Sequence, residues 1–254
     1  ILWDDSWVFY LLTRLVSTLF AVMTALPIYL IGKKAFNEKT GLFASLGLML
    51  VPLHVLYSHY ALSEPPMVFL LSCAVYFAVR IMMDENTNLS SKKTKFGFFT
   101  KKIIDYKYYI LTGLFIGLSA STKYNGGLSA FIVPLATLLN LLLFKQYKNK
   151  IVLIKNFISI SNLISWSISG IFCILGFLIG TPFALLDYKT FLRTDGPQGA
   201  LWQFKNVGSV GFYDHVTTFV NKCLLDLPQN FGYTVFIGFG IITLIYIFMV
   251  LKGI

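Results

Sequence analysis

Few side chains in this chain can carry chemistry, and they stand at the edges of long apolar runs. The stretch His59-Tyr60-Ala61-Leu62-Ser63-Glu64-Pro65-Pro66 brings an imidazole, a phenol and a carboxylate to one such edge. Glu64 there suits a general base or the electrostatic partner of a cation. A helix start explains the same residues structurally, with Ser63 as cap, Glu64 in the positive first turn and Pro65 where no N–H is needed. His59 and Tyr60 equally suit an interfacial belt. Lys123, in Lys123-Tyr124-Asn125-Gly126-Gly127, lies between apolar segments of only 15 and 17 residues, short of the ~20 that cross ~30 Å of hydrocarbon. That shortness places its ammonium below the interface, where the available anion is a lipid phosphate and an ionisable side chain is a functional candidate. A lysine snorkelling to the surface is the plain alternative. Asn125-Gly126-Gly127 permits a sharp turn and a close backbone approach to a ligand. Arg14, early in the first apolar run, poses the same choice between snorkelling and gripping phosphate with its planar fork.

The elements that position these groups are membrane helices. The 254 residues are 56% hydrophobic and 13% charged, about half the charge of a soluble domain, and the mean hydropathy is +0.72. The pattern predicts an all-α polytopic membrane protein with about seven transmembrane helices in a single domain over 1–254. The expected spans are 7–31, 41–57 with a kink at Pro52, 65–83, 108–122, 128–144, 163–179 and 231–251, and 183–230 is an external loop. The isolated Cys73, Cys173 and Cys223 have no metal-ligand spacing and read as packing residues. The chain starts at Ile1 rather than Met and stops just after an apolar segment, so it is expected to be a fragment with spans missing at both ends.

Charge sorts by side. Of the 21 Lys and Arg, 15 fall in the alternate connections 33–40, 80–107, 145–155 and 252, with four acids. The opposite side holds the other six cations, one of them Arg14 within the first span, with seven acids, and all three His fall on or near it. Basic connections face the cytoplasm, so one orientation serves every span. The net charge of +10 is then a topogenic signal and an attraction to anionic lipid, and nucleic acid is not an expected partner. Asn88-Leu89-Ser90 is a sequon that this orientation puts in the cytoplasm, so a glycan on Asn88 would overturn it. His59, Glu64, Asp187, Asp4 and Asp5 fall on the extracytoplasmic side, at the cell membrane or in the ER lumen of a eukaryote. A site there draws on an already activated, membrane-borne substrate.

Five stretches carry a resemblance: Arg14-Leu15-Val16-Ser17; Tyr29-Leu30-Ile31-Gly32 before Lys33-Lys34; Tyr57 to Pro65 after Pro52; Gly117-Leu118-Ser119-Ala120-Ser121-Thr122-Lys123-Tyr124-Asn125; and Gly180-Thr181-Pro182-Phe183-Ala184-Leu185-Leu186-Asp187. In order and sidedness the chain resembles the GT-C type, polyprenyl-phosphate-dependent membrane glycosyltransferases, the group that includes protein O-mannosyltransferases and the aminoarabinose transferase. The resemblance implies a GT-C type transmembrane domain. It implies a donor sugar on dolichyl or undecaprenyl phosphate and an acceptor hydroxyl on protein, lipid or glycan. It fixes no cofactor, although a divalent metal could share the phosphate charge. Glu64 matches an acid of the family's second external loop, and Lys123, with Arg14, Tyr124 and Asn125, would meet the donor phosphate. His59, Tyr60 and Asp187 would line the site. The family's principal acid precedes the span that begins this chain, so Asp4 and Asp5 read as the tail of that loop, with Asp5 the second catalytic candidate. Residues 1–254 alone are therefore expected to be inactive. A transporter or lipid flippase, or a non-catalytic membrane subunit, stays open beside this reading, although no internal repeat or midplane binding group marks a transporter.

Overall fold

A computed structural model describes residues 6–83, 98–145, 149–196, 199–202 and 212–221, with single positions between 233 and 244. Asp4, Asp5, the Asn88 sequon and most of the 231–251 segment lie outside the described residues.

Every regular element among the described residues is helical. The first apolar run forms α1 (Ser6–Met23) and α2 (Ala25–Ala35), broken at the fully buried Thr24. Pro27 explains the break, since its ring excludes the Met23 carbonyl and it brings no N–H to the ladder. A tight turn leads to α3 (Glu38–Met49), where the Asn37 side chain accepts the Thr40 N–H at 2.9 Å as an N-cap should. Gly32 and Gly41 let α2 and α3 touch by their backbones, because a Cβ on Gly32 would stand 2.7 Å from the Gly41 Cα. The expected kink at Pro52 is a full break, after which α4 (Pro52–Ser58) begins on the proline itself. Then come α5 (Glu64–Met82), α6 (Phe98–Thr122), a 3-10 turn over Tyr124–Phe131, α7 (Ile132–Leu139) with a π turn over Asn140–Phe144, α8 (Lys150–Phe157) and α9 (Ile160–Gly180).

Among the described residues four helical stretches are long and apolar enough to cross a bilayer: Trp7–Ala35, Glu64–Met82, Tyr124–Phe144 and Ile160–Gly180, with a fifth if α3 and α4 count as one broken span. This is a helical, multi-pass membrane protein, but seven spans are not what the described residues show. The seventh expected span falls outside them. The fourth, 108–122, is the second half of α6, whose first half carries Lys101, Lys102, Asp105 and Lys107 and dilutes its hydropathy. A helix segment walled in by other helices does not need a lipid-compatible face all round, and the second half of α6 is such a segment. Thr112, Ile116 and Ser119 on it are almost wholly buried, and it packs against α5 and α9.

The α6–α9 seam runs on glycine. A Cβ on Gly113 or Gly117 would collide with the carbonyls of Ser169 or Cys173, and one on Gly176 with that of Leu114. Both helices carry a Gly-x-x-x-Gly, at 113–117 and 176–180. In lipid, where apolar burial gives no net drive, such backbone-to-backbone packing is what holds helices together. Side-chain bonds complete the bundle: Trp166 donates to Thr137 Oγ1 at 3.1 Å, and Asn140 Nδ2 to the Met82 carbonyl at 2.7 Å.

Two compact units result, Ile1–Met49 with Tyr57–Pro182, and Leu50–Leu56 with Phe183–Ile254. In the second, the described part of the expected 183–230 loop is largely helical, as α10 (Phe183–Leu186), α11 (Tyr188–Phe191) and α12 (Phe212–Asn221).

Candidate functional site

The first unit brings Glu64 and Lys123 together. Glu64 opens α5, and Lys123 stands in extended backbone between the end of α6 and the 3-10 turn. Their side chains, 59 residues apart in sequence, pair with Lys123 Nζ at 2.6 Å from Glu64 Oε1. The lysine side chain is 41% exposed and the glutamate 28%, so the pair is half-covered and reachable.

Local chemistry explains each position. Pro65 and Pro66 start α5 at positions whose N–H groups have no helical partner, so their lack of one is harmless. Ser63 holds the N-cap position in helical backbone geometry without a side-chain cap bond, which corrects its expected capping role. Its φ of −81° and ψ of −12° do not give the extended geometry from which a cap side chain reaches back. At the lysine, the Thr122 hydroxyl turns back to the Ser119 carbonyl at 2.7 Å as α6 ends. Gly126 then returns the chain onto α6, since a Cβ there would stand 2.5 Å from the Ser119 hydroxyl. That hydroxyl in turn donates to the Met67 carbonyl at 3.3 Å and ties the lysine turn to the first turn of α5. The helical stretches that flank Lys123 are longer than the 15 and 17 apolar residues on which its expected depth rests. Those helical stretches have 25 and 21 residues, because helix continues through polar residues on one side and through the glycine turn on the other.

The remaining candidates divide. Tyr124 and Asn125 follow Lys123 in the 3-10 turn, with the Tyr124 ring 6.4 Å from that of Phe177 on α9. His59 and Tyr60 lie in the strap between α4 and α5, exposed, with His59 Nδ1 3.1 Å from the Ser58 hydroxyl. Arg14 makes no ion pair with Glu64: it donates to the Tyr10 hydroxyl at 3.2 Å and lies 4.3 Å over that ring, on the exposed face of α1. Asp187 belongs to the second unit, where its carboxylate accepts the Thr190 N–H and caps α11. Asp5 lies outside the described residues. Among the described residues no three His, Cys, Asp or Glu gather into a metal site.

Three of the stretches singled out in the sequence meet at this corner, and part of a fourth joins them. Ser17 touches Leu62, Glu64 meets Lys123, and Gly180 packs on Ser121 so closely that a Cβ there would overlap its side chain. Sequence reasoning passed over the glycine seam and the hydroxyls of α1. The paired Gly-x-x-x-Gly spacings were the available signal for the first, and nothing marked the second.

Fold and corner together define a multi-pass helical membrane protein with a cation–carboxylate pair at a helix-end junction. Residues 3–190 match the family described as dolichyl-phosphate-mannose-protein mannosyltransferase. The match spans most of the chain and all of the corner just described, and the protein belongs to that family of glycosyltransferases. Neither a curated protein nor a solved structure matches the chain.

Proposed function

We propose that the protein transfers a mannosyl group from dolichyl-phosphate mannose to a hydroxyl of a protein acceptor at the extracytoplasmic face, with the Glu64–Lys123 corner receiving the donor phosphate. The observation that supports this most is the 2.6 Å pair, built from two distant stretches inside the family match. The acceptor oxygen attacks the anomeric carbon, the bond from that carbon to the phosphate oxygen breaks, and its electron pair leaves with dolichyl phosphate. The donor phosphodiester carries one negative charge and the departing monoester gains a second. An ammonium beside it therefore stabilises the transition state more than the ground state. As Lys123 turns to the phosphate, Glu64 loses its partner and is free to help take the acceptor proton. Asp5 is a second candidate for that proton. Arg14 would reach the phosphate only by leaving Tyr10, and Tyr124, Asn125, His59, Tyr60 and Asp187 stand as candidate lining.

The test is transfer by the full-length protein in lipid nanodiscs, from dolichyl-phosphate mannose to a Ser/Thr-rich peptide. Glu64→Gln and Lys123→Ala should each lower the rate while folded protein persists. Unchanged rates in both reject the corner as the site, and no transfer by the unmodified protein to any hydroxyl acceptor rejects the function.

A further inference from the structure

In a membrane helix a Ser or Thr hydroxyl ordinarily bonds back to its own helix three or four residues earlier. Thr13 does so to the Phe9 and Tyr10 carbonyls, Thr24 to Phe20 and Thr112 to Tyr108. Ser17 and Thr18, on α1, do not. The Ser17 hydroxyl donates to the Leu62 carbonyl at 3.2 Å and accepts the Leu62 N–H at 3.3 Å, and the Thr18 hydroxyl donates to the Ser58 carbonyl at 2.8 Å. Ser17 is 3% exposed and Ser58 8%. Two adjacent residues of one helix thus hold both ends of the short strap 58–62, two residues ahead of Glu64.

We propose that Ser17 and Thr18 are positioning residues that fix the His59–Leu62 strap and thereby the carboxylate of Glu64 against Lys123. This rests on the assignment of Glu64 to the site. The strap lies between α4 and α5, and the Ser58 carbonyl at its start and the Leu62 carbonyl at its end each accept a hydroxyl from α1. Backbone groups near hydrocarbon must find partners within the protein. Beside the strap's own bonds, from the Tyr60 N–H to the Tyr57 carbonyl at 3.3 Å and from the Leu62 N–H to the Tyr60 carbonyl at 3.0 Å, the hydroxyls of α1 tie it to a long helix. Glu64, two residues beyond the anchored Leu62, has little chain through which to drift. Misplacement of a reacting group by about 1 Å can cost on the order of a hundredfold in rate.

The test is a double-mutant cycle in the same nanodisc assay, with melting temperature followed in parallel. Ser17→Ala combined with Thr18→Val should lower transfer roughly tenfold or more. Ser17→Thr with Thr18→Ser, which keeps both hydroxyls, should return most of the loss. In a Glu64→Gln background the Ala/Val change should add no further loss, since the carboxylate it positions is gone. A merely structural role gives losses that multiply and that the hydroxyl exchange does not rescue, and that result overturns the proposal. A wild-type rate for the Ala/Val variant while Glu64→Gln is impaired overturns it too and leaves Glu64 in the site. A wild-type rate for Glu64→Gln rejects the site assignment and the positioning role with it. If the double variant does not fold, the near-isosteric Thr18→Val alone enters the same cycle under the same criteria.

Discussion

Lys33 and Glu38 are five residues apart and meet across the α2–α3 turn at 3.1 Å, with the Tyr29 hydroxyl donating to the same carboxylate at 2.8 Å. Lys123 and Glu64 are 59 residues apart and meet at 2.6 Å. The first pair is 49% and 65% exposed, the second 41% and 28%. A turn suffices to make the first pair, and it would form in any chain that closed that hairpin. Making the second requires α1 to hold the strap, α5 to start on its prolines and α6 to stop at Thr122. Similar chemistry thus has opposite dependence on the bundle: the local pair needs only its turn, whereas the distant one needs the assembled helices.

The largest expected contrast is in activity. Lys123→Ala should lower mannosyl transfer by about a hundredfold to a thousandfold, the range for removing one preorganised group that stabilises developing charge. Lys33→Ala should leave it unchanged in the same assay, and a comparable loss there would erase the distinction between the pairs. Next, Gly117→Val forces a side chain into the Cys173 carbonyl, so α6 and α9 separate. Overpacking of this kind costs about 1–3 kcal/mol or more, and it should appear as a lower melting temperature in nanodiscs together with reduced transfer. Exchanging the partners sharpens the comparison further. Glu64→Lys with Lys123→Glu should recover the thermal stability that either single change loses, yet not the transfer, because the cation then stands at the start of α5 and not at the proposed phosphate position. Recovered transfer would mean that the pair is only a structural clip. Exchange of Lys33 with Glu38 should leave melting temperature and transfer where they were, as exposed pairs contribute little.

The smallest effect concerns a third local pair. Arg193 donates twice to Asp195, at 2.8 and 3.0 Å, and those bonds hold the Asp195 carboxyl below its ordinary range. A depressed carboxyl contributes stability above its unfolded-state pKa and loses it as pH falls through the folded one. Both groups are open to solvent, so the difference in melting temperature between wild type and Arg193→Ala should be slight at pH 7 and vanish in acid.

The comparison also explains how far the sequence could be read. The spans beginning near Trp7, Pro65, Leu128 and Leu163 emerge close to their expected bounds, because long apolar runs dictate their own structure. The break at Pro52 follows from its missing N–H. By contrast, α6 starts ten residues earlier than its apolar core, because a polar turn can continue a helix that hydropathy alone reads as loop. Glu64 and Lys123 were each visible as ionisable residues at apolar edges. Their partnership was not, since one sequence carries no trace of which distant residues meet. Arg14 shows the converse: its type suited phosphate, but Tyr10 one turn back is nearer than anything across the bundle.

The glycine seam between α6 and α9 has a consequence for the donor's tail. With carbonyls standing where side chains would be, no isoprenoid chain fits between these two helices. On the proposed site, a lipid whose phosphate rests on Lys123 would trail its hydrocarbon along another flank of the corner, with the seam as a fence on this side.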